Sequence, residues 1–220
     1  MLELIIGAAR GRTLRILCVG AHCDDIEIGC GGTLLALQAS RRRVAIDWLV
    51  LSGTAQRRRE TQAAMRMLVQ PAHRGDLIFG DFPDGRFPAA YADIKDWIES
   101  LKARPGPNLI LCHDRDDRHQ DHRIVNEIIW STFRDHLVLE YEIPKWDGGL
   151  GQPNVYVPLD AKQASTKCAA LLKAHRSQVK RDWFTRDTFM AMLRLRGLEC
   201  RSPGGLAEAF HARKLRIHAS

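Results

Sequence analysis

The 220 residues of this chain are 45% hydrophobic, which is enough to bury a sizeable core, and no Gly/Ser/Pro-rich linker divides them. The net charge of +7 includes arginine runs at 41–43 and 57–59, which fit either solvated faces or attraction of an anionic ligand; no recognition motif indicates nucleic acid. Because no apolar run is long enough for a membrane span, no leader-like segment is present and the six cysteines make no CxxC pair, we expect one soluble, cytoplasmic domain over residues 1–220.

Apolar periodicity predicts strands and helices that alternate along most of the chain. The predicted strands cover 14–19, 44–51, 76–79, 109–112 and 138–142. The predicted helices cover 29–40, 56–69, 89–103 and 120–133. The remainder is predicted as a Gly/Pro-rich loop at 144–158, helices at 161–176 and 185–196, and a closing strand within 207–217. This alternation indicates an α/β fold with a mostly parallel sheet and helices on both faces.

Two polar clusters follow predicted strands. The first, AHCDDIEIGCGGT at 21–33, comes directly after strand 14–19. The second, HDRDDRHQDH at 113–122, comes directly after strand 109–112. Ligands of open α/β sheets gather outside the carboxyl ends of the strands, so we expect the two clusters to form one site.

The residue types in the two clusters predict a catalytic metal. His22 and Asp25 lie three residues apart on a tight turn, and His122 can complete a His₂Asp set that leaves a position for water, as catalytic zinc sites do. Zinc-bound water has a pKa near neutrality and needs a proton acceptor, which the adjacent Asp24 is placed to be. Iron or cobalt suits the same ligands, so we expect Zn²⁺ with other divalent transition metals as alternatives.

His119 stands three residues before His122 and can face the same ion. It can donate a proton to a leaving amine or stabilise a developing oxyanion, while Asp121 holds its ring in the needed tautomer. The simpler alternative for the first cluster is that Asp25 only caps a helix. The glycines at 29–32 permit close approach of a ligand, and could instead cradle a phosphate, although the cluster lacks both GxGxxG and a P-loop lysine.

These clusters resemble the motifs of the PIG-L / LmbE-like deacetylase family. That family carries Ala-His-Pro-Asp-Asp-Glu followed by Gly-Xaa-Gly-Gly-Thr, and later His-Pro-Asp-His; this chain has AHCDD and GCGGT within 21–33, and HQDH at 119–122. Further matches are Arg57 and Glu60 to the family's Arg-Xaa-Xaa-Glu helix, 82–86 to its Pro-Asp-Gly turn, and 207–210 to another signature.

The resemblance implies a Rossmann-like fold and removal of an N-acetyl group from an N-acetylated amino sugar by attack of metal-bound water. The substrate would be of the N-acetylglucosamine (GlcNAc) type, and nucleotide-, lipid- or glycan-linked forms all remain open. The implied roles agree with those above: zinc ligands His22, Asp25 and His122, base Asp24, and acid or electrostatic partner His119 with Asp121. Arg57 and Asp84 match positions that contact the sugar or shape its pocket.

Three residues depart from the family pattern. Cys23 replaces the usual proline and is either a spectator or a soft ligand beside the metal. Ile26 stands where a glutamate is expected, so a supporting carboxylate there would have moved to Glu27. Gln120 replaces the proline of the second motif, which leaves the ligands in place.

The segment 140–150 carries two aromatic residues on a predicted loop. Tyr141 and Trp146 either stack on a sugar ring at the rim of the site or pin the loop to the core.

Several other functions stay open at this point. One is the same amidase chemistry on a different acyl group or a non-sugar amine, as in thiol or antibiotic biosynthesis. A catalytically silent sugar-binding module is another, and a structural zinc protein a third, which the open three-ligand set disfavours. The sequence leaves the substrate identity and the oligomeric state undecided, a homo-oligomer included.

Overall fold

The computed structural model describes residues 13–40 and 43–216. Residues 41 and 42 of the first arginine run, and residue 217 of the predicted closing strand, lie outside the described residues.

The described residues form seven strands and six α-helices. The strands are β1 (Leu14–Gly20), β2 (Val44–Val50), β3 (Arg74–Phe79), β4 (Leu109–His113), β5 (Leu137–Tyr141), β6 (Val155–Pro158) and β7 (Ala207–His211). The helices are α1 (Asp25–Ala39), α2 (Ala55–Leu68), α3 (Tyr91–Ser100), α4 (Gln120–Thr132), α5 (Ala161–Ala174) and α6 (Arg186–Glu199).

All seven strands belong to one sheet, in the order β3-β2-β1-β4-β5-β7-β6. The first five in that order run parallel to one another, and β7 runs antiparallel to both β5 and β6. The prediction of an α/β fold with a mostly parallel sheet is therefore confirmed. Between β1 and β4 the strand order reverses direction, which is where open α/β sheets form a ligand crevice.

Helices cover both faces of the sheet. Ile16 and Cys18 of β1 face the layer that contains α1, α2, α5 and α6, whereas Val19 packs with α3 and α4 on the other side. Burial on both faces explains why β1 and β4 read as continuous apolar runs. The polar residues that follow β1 and β4 are therefore attached to two strands in the interior of the sheet.

The prediction that α1 begins at Gly29 was wrong by four residues. The amide of Ile28 donates to the carbonyl oxygen of Asp24 at 3.0 Å, so the first helical turn is closed before the glycines are reached. Gly29 is needed for packing, because a Cβ there would lie 2.2 Å from Cδ2 of Tyr141. Gly29 therefore serves the close packing of α1 on β5 in place of the expected approach of a ligand, and a Cβ on Gly32 would lie 2.4 Å from Cδ1 of Leu159.

The largest remaining differences from the prediction concern β6 and α3. The short edge strand β6 lies inside the predicted loop 144–158, where its pairing with β7 supplies an order that the Gly/Pro-rich sequence does not signal. The predicted helix 89–103 is shorter, with 3₁₀ turns flanking α3 at both ends.

No helix within the described part of the chain is both long and apolar enough to cross a membrane.

Candidate active site

The turn after β1 sends its two aspartates in different directions. Asp24 has a φ of +115°, which is rare for a residue with a side chain and is characteristic of functional turns. Asp25 begins α1, and its Oδ2 accepts a hydrogen bond from the amide of His22 at 2.7 Å. The alternative that Asp25 merely caps the helix is therefore wrong, since Asp24 occupies the cap position.

The turn after β4 places two histidines at the start of α4. His119 is the N-cap of the helix, and its amide donates to Oδ1 of Asp117 at 2.7 Å. His122 follows on the first turn and is 2% exposed. Both residues of this turn lie beside the turn that follows β1.

The three predicted metal ligands come together. Nδ1 of His22 lies 3.3 Å from Nε2 of His122, and each of these nitrogens lies 3.6 Å from Oδ2 of Asp25. Zinc bonds of about 2.0–2.1 Å in tetrahedral geometry place two ligand atoms roughly 3.3–3.4 Å apart. The triangle formed by these atoms is therefore the size that a tetrahedral zinc ion requires.

Neighbouring carboxylates fix the tautomers of both histidines. Nε2 of His22 lies 3.2 Å from Oδ2 of Asp121, and Nδ1 of His122 lies 2.8 Å from Oδ2 of Asp117. When each of these nitrogens donates its proton to the carboxylate, the other ring nitrogen presents a lone pair to the triangle. Burial, together with His113, lowers the pKa of His122 to about 3, so its ring is neutral. Burial acts to lower the pKa of His22, but the carboxylates of Asp121, Asp25 and Asp84 raise it well above its ordinary value, so Nδ1 of this ring must release its proton when a cation binds. Two lone pairs and a carboxylate oxygen then converge, and a cation fits that donor set.

Other metal-ligand combinations share these residues: His119 with His22 and His122, His113 with Asp25 and His122, and Asp84 with His22 and Asp121. Nε2 of His113 already accepts the amide proton of Ala21 at 3.0 Å, which uses its lone pair. The combination with Asp84 needs His22 Nε2, whose proton lies toward Asp121. We therefore favour the set His22, Asp25 and His122.

The candidate base is held by an arginine. Oδ1 of Asp24 accepts from Nη2 of Arg57 at 2.8 Å, and Arg57 also donates to the carbonyl of Cys23. Burial raises the pKa of Asp24 to about 6, while the positive charge of Arg57 acts to lower it. The carboxylate is thus largely ionised at neutral pH and able to accept a proton. The guanidinium of Arg57 holds it in place.

His119 is oriented differently from the prediction. Its Nδ1 accepts from the backbone amide of Asp121 at 3.2 Å, which leaves Nε2 to carry the proton. The carboxylate of Asp121 contacts His22, and it also accepts from the amides of Gly85 at 2.7 Å and Phe87 at 3.2 Å. The expectation that the side chain of Asp121 orients His119 is therefore wrong: the backbone amide of Asp121 does so, and its carboxylate contacts His22.

The sequence analysis missed the roles of two residues at this site. Asp117 supports His122, and its carboxylate also accepts from Nζ of Lys145 at 2.9 Å. His113, the last residue of β4, is fully buried, and its ring stacks on His122 with 3.8 Å between centroids. The position of His113 at a strand end was the available signal, because the carboxyl ends of the strands line the crevice.

The four predicted substrate contacts have different surroundings. Arg57 lies against the base, and Asp84 is 64% exposed with Oδ1 3.1 Å from Nε2 of His22, so both line the mouth of the site. Trp146 is 65% exposed on the loop after β5. Tyr141 ends β5 and is fully buried, with its hydroxyl donating to the carbonyl of Val19 at 2.6 Å. The prediction that Tyr141 stacks on a sugar is therefore wrong, because the ring is part of the core.

The departures from the family motif point away from the metal ligands. The thiol of Cys23 donates to the carbonyl of Ser52 at 3.6 Å, and burial raises its pKa to about 11. The Cys23 side chain thus faces the backbone of Ser52, which agrees with a spectator. Oε1 of Glu27 lies 2.8 Å from Nε2 of the buried His175, so this carboxylate supports the packing of α1 against the end of α5.

Comparison with known proteins adds likenesses in sequence and in structure. The family model described as PIG-L: GlcNAc-PI de-N-acetylase matches residues 17–133. The uncharacterized deacetylase YaiS of Escherichia coli (strain K12) is 30% identical over 177 residues, which are 74% of this chain and 90% of YaiS.

Two solved structures share the fold over nearly the whole chain. The conserved protein TT1542 from Thermus thermophilus is 25% identical with a TM-score of 0.71, over 94% of this chain and 97% of that one. The N,N'-diacetylchitobiose deacetylase from Pyrococcus horikoshii has a TM-score of 0.68 at 20% identity, over 90% of this chain and 83% of that one.

Proposed function

This chain belongs to the PIG-L family, and from that premise we propose that it is a zinc-dependent N-deacetylase acting on an N-acetylated amino sugar. The observation that carries the proposal is the triangle of His22, Asp25 and His122 with Asp24 beside it. Each of the two histidines has its own carboxylate partner, which is typical of metal ligands. The family membership supports the deacetylase class, and the donor set supports zinc.

The residues of the chain divide the reaction between them. Zinc, when bound, supplies Lewis-acid polarisation of the acetyl carbonyl and a lower pKa for water. Asp24, held by Arg57, accepts a proton from the attacking water. His119 presents Nε2–H to the charge that develops as the C–N bond breaks, and the proton that Asp24 accepted from the water passes to the leaving nitrogen. The products are a free amine and acetate.

The mouth of the site offers the contacts for the rest of the substrate. We propose that Arg57 and Asp84 contact the N-acetylated sugar, since both lie next to the catalytic groups. Trp146 lies farther out on an exposed loop and suits the stacking of a ring.

Acetate release and metal content together test the proposal. We expect the wild-type protein to hold one zinc ion and to release acetate from members of a panel of GlcNAc conjugates. The Asp24→Asn variant should keep the metal and lose roughly 10²–10⁴-fold in kcat. Asp81→Asn is the matched control, because Asp81 is an exposed carboxylate whose ion pair within the described residues is with Arg58.

Two outcomes would overturn the proposal. Equal acetate release by wild type and Asp24→Asn would remove Asp24 as the base. Metal bound by both proteins, with acetate released by neither across a broad panel, would support a silent sugar-binding module. Release of a longer acyl group, or release from a non-sugar amine alone, would keep the chemistry and change the substrate class.

A further inference from the structure

Arg213 connects the segment that follows β7 to β5 and α4. Its Nε donates to Oε1 of Glu140 on β5 at 2.6 Å, and its Nη2 donates to Oδ1 of Asn126 on α4. The guanidinium lies 4.5 Å from the centroid of the Trp130 ring. A planar guanidinium can serve a carboxylate, an amide oxygen and an aromatic face at the same time, whereas the compact ammonium of a lysine cannot.

Both hydrogen-bond partners of Arg213 are buried. The side chain of Glu140 is fully buried, and Asn126 is 2% exposed. Among the ion pairs of residues 13–40 and 43–216, that of Glu140 is with Arg213. Nε1 of Trp130 also donates to Glu140, but it carries no charge. A buried carboxylate without a countercharge is costly, so the loss of Arg213 would leave Glu140 and Asn126 each short of a partner.

Asn126 and Glu140 in turn hold the backbone of the turn after β4. Nδ2 of Asn126 donates to the carbonyl oxygen of His113 at 2.7 Å, and Oε2 of Glu140 accepts from the amide of Arg115 at 3.4 Å. A flip of the Asn126 amide group would turn its Nδ2 toward the guanidinium and its oxygen toward a carbonyl, and neither contact is a hydrogen bond. Arg213 therefore fixes the orientation in which Asn126 holds the end of β4.

This turn carries the groups that support His122. The ring of His113 stacks on that of His122 with 3.8 Å between centroids. The amide of Asp117 donates to the carbonyl oxygen of Asp114 at 3.3 Å, and the carboxylate of Asp117 lies 2.8 Å from Nδ1 of His122. Two supports of one proposed metal ligand therefore start from the backbone that Arg213 helps to hold.

We propose that Arg213 is a positioning residue for the metal site. It orders the turn after β4 so that His113 and Asp117 lie against His122. This inference rests on the zinc site of the proposed function, and it deepens that function by naming a residue outside the two turns on which the affinity for the metal depends. If Arg213 only neutralised Glu140, its loss would lower the stability of the fold and leave the affinity for zinc unchanged.

Two substitutions of Arg213 separate these roles. Arg213→Gln removes the charge and keeps a polar side chain. Arg213→Lys keeps a charge for Glu140 but lacks the second arm that reaches Asn126. A residue that only neutralises Glu140 is therefore replaced well by lysine, whereas a residue that also orients Asn126 is not.

Two control variants accompany them. Lys214→Gln is the matched control for charge, because Nζ of Lys214 lies 5.6 Å from the centroid of the same Trp130 ring. Leu193→Ala is the control for a general loss of stability, since this buried residue belongs to a separate core cluster.

Competition with a chelator measures the affinity for zinc, and hydrogen exchange of the metal-free proteins measures the order of residues 113–119. In Arg213→Gln we expect the affinity to fall roughly 5- to 20-fold, and the amides of 113–119 to exchange roughly 10-fold faster relative to those of β2. In Arg213→Lys the affinity should fall by a smaller factor, roughly 2- to 5-fold. Both controls should keep the wild-type affinity.

Wild-type affinity in Arg213→Gln, or an equal loss of affinity in Leu193→Ala, would overturn the positioning role. If Arg213→Gln does not fold, wild-type affinity in Arg213→Lys would overturn it in the same way.

Acetate release by the same proteins separates this proposal from the proposed function. An affinity for zinc that depends on Arg213, without acetate release from any substrate by wild type, would sink the deacetylase and keep the positioning role. Acetate release by wild type, with an affinity for zinc that does not depend on Arg213, would keep the deacetylase and sink the positioning role.

Discussion

The two turns that carry the proposed metal ligands differ from the outer loops around Trp146 in how far their side chains are buried. At the turns after β1 and β4, the proposed metal ligands are buried and two of them are buttressed by the carboxylates of Asp117 and Asp121. Most residues of the loops at 142–151 and 176–185 are exposed or half-buried, and the two loops contact each other around Trp146. The proposed metal centre is enclosed by its neighbours, whereas the outer loops are open to solvent.

Removal of a metal ligand should have the largest effect. We expect Asp25→Ala to lose the metal and to lower acetate release by more than about 10³-fold, because the only carboxylate of the triangle is gone. Metal analysis and acetate release measure both consequences. Asp76→Ala serves as a control, since this carboxylate lies on β3 in an exposed pair with Arg104. Full activity of Asp25→Ala would show that Asp25 is not a ligand of a metal that the reaction needs.

Removal of a supporting carboxylate should come next. Asp117→Asn keeps the shape of the side chain but gives His122 a weaker partner, so metal affinity or activity should fall by about 10- to 100-fold. Competition with a chelator measures the affinity. Asp116→Asn is the matched control, because the neighbouring Asp116 side chain is 79% exposed and is paired only with Arg115. If the two variants hold zinc equally well, the carboxylate of Asp117 does not support the site.

Weakening the contact between α2 and the loop at 176–185 should have a smaller effect. Glu60→Gln weakens the hydrogen bonds that anchor Ser177, so the segment that carries Arg181 should become less ordered. We expect KM for a GlcNAc conjugate to rise by roughly 2- to 5-fold with kcat nearly unchanged. A fall in kcat with no change in KM would instead assign Glu60 to the inner site.

The outer region should contribute least to stability. Trp146→Ala removes a ring that is mostly exposed, so the free energy of unfolding should change by no more than about 0.5 kcal/mol. Urea denaturation measures the change. A loss of about 3 kcal/mol, as expected for a buried aromatic residue, would show that Trp146 belongs to the core and would erase the distinction between the regions.

The inner site was largely predictable because its residues are close together in sequence. His22 and Asp25 share one turn, His119 and His122 share another, and strand order brings the two turns together. What the sequence did not predict are contacts that depend on the direction of one side chain. Asp121 was assigned to His119 by its adjacency, yet its carboxylate crosses to His22, 99 residues away.

The outer region was harder to predict because its contacts join distant segments. Tyr141 and Trp146 are five residues apart and look equivalent in sequence, but β5 ends at Tyr141 and buries it. Trp146 is held by Asp182, which lies 36 residues away on a loop without a recognisable motif. Burial and long-range pairing separate the two aromatic residues, and neither is visible in a local pattern.

Anomalous diffraction from crystals grown with zinc tests the central claim most directly. The account predicts one zinc ion within about 2.0–2.2 Å of Nδ1 of His22, Nε2 of His122 and a carboxylate oxygen of Asp25. It also predicts the carboxylate of Asp24 beside the ion but still bonded to Arg57. A zinc ion ligated by His113 or by Nε2 of His22, or no zinc between the two turns, would contradict it.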